Sequence, residues 1–253
     1  MRFGKMETPM RAVILAGGKG TRLMPYTTVI PKPMVPLGNM AIMEIVIKQL
    51  VHYGYADITV SVNHMAQLIM AYFGDGSRWG AAIDYSMEDK PLSTIGPLKL
   101  MDDLPEHFLV MNGDVLTDID YRALFETHVA SGANATIATY ERDVNIDFGV
   151  LGFDADTGRV VEFVEKPTEH FSVSMGVYVF SRRILDTVPD NVAYGFDNFM
   201  IDSISRGDDV RAFPFKGYWL DIGRPEDYDM ANRKFAELRS VILPHEPDGR
   251  DEG

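Results

Sequence analysis

The sequence predicts an α/β fold: a mostly parallel, doubly wound central sheet flanked by helices, with a strand-rich insertion after about residue 140. Three observations predict it. Short β-branched apolar runs alternate with amphipathic segments through the first half of the chain. Glycines stand where the helical patterns stop. Beyond about residue 140, helical spacing gives way to closely spaced strand-like runs.

In order, RAVILA (11–16) is a β-branched run closed by Gly17, as suits a buried strand. AIMEIVIKQLVHYG (41–54) carries apolar residues at helical spacing and stops at Gly54. DITVSVN (57–63) is the next strand and MAQLIMAYFG (65–74) the next helix. AAIDYSM (81–87) and HFLVMNGD (107–114) read as strands, and YRALFETHVASG (121–132) as a helix with a glycine stop. ANATIATY (133–140), FGVLGFD (148–154), RVVEFVE (159–165) and VSMGVYVF (173–180) are strand-like. Helical patterns return at RRILDTV (182–188), FDNFMIDSIS (196–205) and PEDYDMANRKFAELR (225–239). Residues 10–240 read as one unit, with 1–9 and 241–253 as flexible ends.

The 253 residues suffice for a full core, and 46% hydrophobic with 24% charged residues is an ordinary globular composition. A net charge of −13 argues against nucleic acid as the partner, though not against a small phosphorylated ligand held by a few local cations. No cysteine is present, which excludes disulfides, thiolate zinc sites and a cysteine nucleophile. No apolar run is long enough to span a membrane and the N-terminus has no apolar signal core, so the expected compartment is the cytoplasm.

LAGGKGTR (15–22) follows the first strand. It is not a P-loop, because the lysine precedes the last glycine, and it is not a dinucleotide fingerprint, because Leu23 stands where the third glycine belongs. Its physical logic survives both failures. Glycines let backbone N–H groups approach phosphate oxygens, and Arg22 adds a forked donor. The alternative is a plain structural turn. In PKP (31–33), two prolines hold the backbone around Lys32. VMNGD (110–114) ends a strand on Asp114, where an open α/β sheet gathers its ligands and where a hard cation such as Mg²⁺ finds oxygen. FVEKP (163–167) sets Glu165 and Lys166 at a strand end, where they could grip sugar hydroxyls and a phosphate, though by itself the motif reads better as an ordinary charged strand end. GYWLDIGRPEDY (217–228) embeds Asp221 in an apolar run, where it needs a partner: a metal shared with Asp114, or Arg224. The histidines lack ligand spacing, and Asp118-Ile119-Asp120 reads as a helix cap.

Taken in this order, LAGGKGTRL, PKP, EDKPLSTIGPL, VMNGD, FVEKP and GYWLDIGRPEDY resemble the sugar-1-phosphate nucleotidylyltransferases over residues 11 to 235. The resemblance implies a Rossmann-like fold of the glycosyltransferase-A type, with a nucleotide-binding part at about 10–135 and a sugar-phosphate part at about 136–225. It implies the reaction of an NTP with a sugar 1-phosphate, with Mg²⁺, to give an NDP-sugar and pyrophosphate. Leu15, Gly17, Gly18, Gly20, Glu88, Pro91 and Gly113 would then bind nucleotide. Arg22 would grip its phosphates and Lys32 would steady the α-phosphate. Asp114 and Asp221 would hold Mg²⁺. Gly149, Glu165 and Ser174 would face the sugar, and Lys166 its phosphate.

Thymidylyl members resemble this chain but carry Gln where Glu88 stands, three residues before Pro91. Guanine presents two donors on its pairing edge, and a carboxylate accepts both, so GTP is the expected nucleotide. EDKPLSTIGPL is most similar to the guanylyl branch, E-x-x-P-L-G-T-A-G, with Ser93 for Gly and Ile95 for Ala. That branch and the chain's length point to mannose or manno-heptose 1-phosphate. Ser174 stands where guanylyl relatives often carry Asn, which leaves room for another sugar or a cyclitol phosphate. A homo-oligomer is compatible with the sequence. Thymidylyl, uridylyl or cytidylyl transfer, a catalytically silent NDP-sugar-binding homologue, and a glycosyltransferase are the alternatives.

Overall fold

A computed structural model describes residues 10–244; the expected loose segments 1–9 and 245–253 lie outside it. Thirteen strands are formed among the described residues: β1 (Arg11–Leu15), β2 (Pro36–Leu37), β3 (Met40–Ala41), β4 (Asp57–Val62), β5 (Ala82–Met87), β6 (His107–Asn112), β7 (Val115–Thr117), β8 (Ala135–Asn145), β9 (Val150–Phe153), β10 (Val160–Val164), β11 (Thr168–Ser181), β12 (Val210–Phe215) and β13 (Trp219–Asp221). The helices are α1 (Ile42–His52), α2 (Ala66–Phe73), α3 (Tyr121–Ser131), α4 (Phe196–Arg206) and α5 (Pro225–Ile242).

Seven strands make the central sheet in the order β12-β8-β11-β6-β1-β4-β5. β6, β1, β4 and β5 are mutually parallel, β12 is parallel to β8, and β11 alone runs against its neighbours β6 and β8. The unbroken apolar runs of β1, β4 and β6 follow from this placement, because both faces of each strand are covered. One face carries Ala12, Ile14, Val60 and Leu109 against α1, α2 and α3. The other carries Val13, Phe108, Val110 and Phe180 against Phe199 of α4 and Leu98. A third cluster packs α5 through Phe235 and Ile242 onto Leu23, Val35 and Leu116. α5 continues to Ile242, and both Ile242 and Leu243 are buried, so the folded chain runs past the boundary expected at residue 240. None of the described helices is long and apolar enough to cross a membrane.

The chain leaves β1 for β4 and β5 on one side, then returns to β6 on the other. The crevice between the carboxyl ends of β1 and β6 is therefore the switch point where such sheets bind ligands. Leu15 and Gly113 close its floor, with the Gly113 N–H donating to the Leu15 carbonyl at 3.0 Å.

The insertion begins where expected. β8 pairs with β12 as far as Tyr140, then continues with β11 as a two-stranded ribbon in which Asn145 faces Thr168. Val177 of β11 pairs with Met111 of β6, so the earlier residues of β11 extend past the carboxyl end of β6, on the cavity side of the sheet. A bulge between Ser174 and Tyr178 marks the departure. β9 and β10 form an antiparallel hairpin at the ribbon's end, and its base closes through Ile146 N–H to the Pro167 carbonyl at 3.0 Å. The division drawn at about residue 135 thus runs through a single sheet. RRILDTV forms a 3-10 turn rather than an α-helix.

Candidate functional site

A cavity of about 380 Å³ opens at the β1/β6 crevice. Leu15, Gly17, Gly18, Gly20 and Arg22 line it from the turn after β1, and Lys32 from the PKP turn. Glu88 and Pro91 line it from the loop after β5, and Gly113 and Asp114 from the turn after β6. Ten residues singled out in the sequence thus meet in one space. Lys19 is exposed and lies outside the lining.

The glycines of the first turn serve different ends. A Cβ at Gly17 would stand 2.8 Å from Glu88 Oε1. Gly20 has φ +62, and a Cβ there would press on Thr27 and Lys32. Among the described residues, its chain neighbours aside, nothing lies within 4 Å of a Cβ at Gly18, so the described fold does not require that glycine.

Glu88 is buried, with both oxygens engaged. Ser61 Oγ donates to Oε1 at 3.0 Å and the Leu92 N–H donates to Oε2 at 2.9 Å. The carboxylate therefore fixes the 88–92 loop against β4 as well as lining the cavity.

Lys32 and Asp114 are ion-paired, Nζ to Oδ2. Asp114 Oδ1 is buried and has no hydrogen-bond partner among the described residues. Asp221 of β13 comes beside it because β13 pairs with β7 in a register that sets Asp221 against Val115, and Ile222 N–H donates to the Asp114 carbonyl. Burial raises the Asp221 carboxyl above the usual range; the Asp114 charge raises it further, and Lys32 and Arg22 oppose the shift. Two adjacent carboxylates, one with an orphaned oxygen, are a donor set that suits a hard divalent cation completed by phosphate oxygens and water. Among the described residues, no cluster of three or more His, Cys, Asp or Glu offers a closed metal cage. No described ion pair joins Arg224 to Asp221; its N–H donates to Asp227 and opens α5.

The sugar-side residues divide. Ser174 Oγ donates to the Tyr178 hydroxyl at 3.2 Å, and both Asp221 and Asp114 act on Tyr178 to help raise its pKa, though burial raises it most. Ser174 thus sits at the root of the ribbon, near the carboxylate pair. Gly149, Glu165 and Lys166 belong to the hairpin; all three are exposed and outside the cavity lining. They are close to one another: a Cβ at Gly149 would meet the Phe163 ring at 2.5 Å and Glu165 Oε2 at 3.2 Å.

Ser93, Thr94, Asn112 and Gly223 also line the cavity, with Ala16, Thr21 and Pro33. Thr94 and Asn112 lie inside motifs already noted but received no role from sequence. Asp120 caps α3 through the Ala123 N–H at 2.9 Å, so the D-x-D pattern is structural at that end.

The family model for nucleotidyl transferases matches residues 11–237. The chain belongs to this family. The UTP–glucose-1-phosphate uridylyltransferase of Synechocystis is 35% identical over 93% of the chain and 66% of its own length. The mannose-1-phosphate guanyltransferase of Debaryomyces hansenii is 32% identical over 87% of the chain and 62% of its own length. The chain therefore spans about two thirds of these curated relatives. Among solved structures, HddC from Yersinia pseudotuberculosis, complexed with GMP-PN, superposes with a TM-score of 0.69 at 29% identity and covers 89% of this chain and 99% of its own. A putative glucose-1-phosphate thymidylyltransferase from Bacillus anthracis shares the family fold, with a TM-score of 0.72 at 22% identity.

Proposed function

We propose that the protein transfers a nucleotidyl group from an NTP, GTP by preference, to a sugar 1-phosphate, releasing pyrophosphate. The observation that carries this reading is the meeting of the glycine turn, Arg22, Lys32 and Asp114 at the β1/β6 crevice. Gly18 supports it further, since its missing side chain leaves space the fold does not need.

The chemistry asks little of a general base. The attacking oxygen belongs to a phosphate already ionised at neutral pH. The barrier is repulsion between two polyanions, so charge neutralisation and alignment carry the rate. The turn after β1 binds the triphosphate through backbone N–H groups, and Arg22 takes the β- and γ-phosphates that leave. Lys32 holds the α-phosphate. Asp114 and Asp221 would hold Mg²⁺, which when bound neutralises phosphate charge in the transition state. Glu165 and Lys166 bind the sugar 1-phosphate once the hairpin bends toward the cavity.

Glu88 supports guanine. It lines the cavity, and each of its oxygens retains a lone pair beyond the bond it accepts from the protein. Likeness to mannose-1-phosphate guanyltransferases and to HddC supports the same base. The 35% identity to a uridylyltransferase favours UTP as the second reading.

The test is pyrophosphate release by purified protein with each of five NTPs against mannose, manno-heptose, glucose and cyclitol 1-phosphates. GTP is expected among the best donors, and Lys166→Ala is expected to raise KM for the sugar phosphate. GTP among the poorest would overturn the Glu88 argument. No release with any pair would leave a silent binding homologue.

A further inference from the structure

We propose that Lys32 is a resident cation that keeps a divalent metal off Asp114 until nucleotide arrives, and that the same ammonium then turns to phosphate. The inference rests on the nucleotidyl-transfer reading and adds an order of events to it.

The ion pair is confined. The Lys32 side chain is 11% exposed and Asp114 19%, so bulk solvent screens the contact poorly. Lys32 takes one carboxylate oxygen and leaves the other bare, while Asp221 adds a second negative charge beside them. Arg22 stands near Asp221 as Lys32 does to Asp114, so two cations offset the two carboxylates in a half-buried space. A bare divalent cation entering alone would have to expel Lys32 or sit beside it, and either is costly without a further anion. A cation delivered with a triphosphate brings that anion with it.

The geometry gives the displaced ammonium somewhere to go. Pro31 and Pro33 hold the backbone of Lys32, so only its four-carbon stem moves. The root of that stem lies against the glycine turn: a Cβ at Gly20 would come within 3.2 Å of Lys32 Cβ. A phosphate seated on the turn is therefore within the swing of Nζ. One side chain serves first as a placeholder for the metal and then as a phosphate ligand, so Asp114 faces a cation in both states.

The experiment is Mn²⁺ binding to nucleotide-free protein, read from the electron paramagnetic resonance signal of free Mn²⁺. Wild type and Lys32→Arg, which keeps the charge, are expected to bind weakly. Lys32→Gln removes the placeholder at similar length and is expected to bind about tenfold tighter or more, while Lys32→Gln combined with Asp114→Asn should lose the gain. Circular dichroism melts establish that each variant is folded. Equal Mn²⁺ affinity in folded wild type and folded Lys32→Gln would overturn the inference, whatever the activity. Failure of pyrophosphate release by wild type would strike the functional reading instead.

Discussion

Gly17 has no room for a side chain because Glu88 Oε1 occupies the space, 2.8 Å from where a Cβ would stand. The turn after β1 and the loop after β5 are therefore fitted to each other. Gly17→Ala should push Glu88 off its bonds to Ser61 and Leu92. A loss of about 1–3 kcal/mol in stability is expected from the buried carboxylate alone, with a rise in KM for the nucleotide. An unchanged melting temperature and KM would show that the loop yields freely.

Ser93 stands at φ +67, a left-handed conformation that serine adopts only under constraint. Among the described residues its hydroxyl makes no hydrogen bond, and glycine occupies this place in the guanylyl pattern. Ser93→Gly should relieve about 1 kcal/mol of backbone strain, less what glycine adds to the freedom of the unfolded chain. A melting temperature raised by about 1–3 °C is expected, and a fall would mean that the hydroxyl holds the loop.

Asp221 carries a raised pKa in the fold, mainly through burial and then through Asp114. A carboxyl raised in the folded state is easiest to keep when protonated. Its contribution to stability is greatest below the ordinary carboxylate range and is lost as pH rises through the folded value. Asp221→Asn removes that loss. The variant should melt higher than wild type at pH 7 without metal, and the difference should close as the pH falls below about 4. Added Mg²⁺ should raise the melting temperature of wild type more than that of the variant. A destabilised variant at pH 7 would refute the repulsion argument.

His128 is fully buried between Thr136, Ser181 and His107, and its pKa falls to about 4, through burial first and then His107 and Arg183. A depressed value means that stability is complete above the unfolded histidine pKa and is lost as pH drops toward the folded one. Between pH 6.5 and pH 4 this group should cost roughly 2–3 kcal/mol of stability. His128→Gln should flatten that slope in chemical denaturation, and an unaltered slope would place the acid sensitivity elsewhere.

Much of the fold was legible because parallel strands buried on both faces read as plain apolar runs. β1, β4, β5 and β6 begin within one residue of their sequence signals. β12 and β13 were missed, since VRAFPF contains a proline and lies on the sheet edge, and WLD is only three residues long. The cavity was legible because its residues come from turns that directly follow strands, where sequence order and spatial order agree. Ser93, Thr94 and Asn112 lay in quoted motifs, yet nothing in a short polar side chain distinguishes a wall from a turn. The Lys32–Asp114 pair joins residues 82 positions apart and left no local trace. The register shift between Ser174 and Tyr178, where the ribbon leaves the sheet, is invisible in an alternating strand.

β11 sits between β6 and β8 although it is made long after either neighbour. During synthesis, β6 is complete at residue 112, but the strand that covers its outer edge ends at residue 181. At about 5–20 residues per second, that edge stays open for several seconds as the nascent chain emerges. For that interval the half-made protein presents an apolar strand with unpaired backbone groups, an invitation to pair with the wrong chain. Chains arrested between these two points should depend on chaperones far more than the finished protein does.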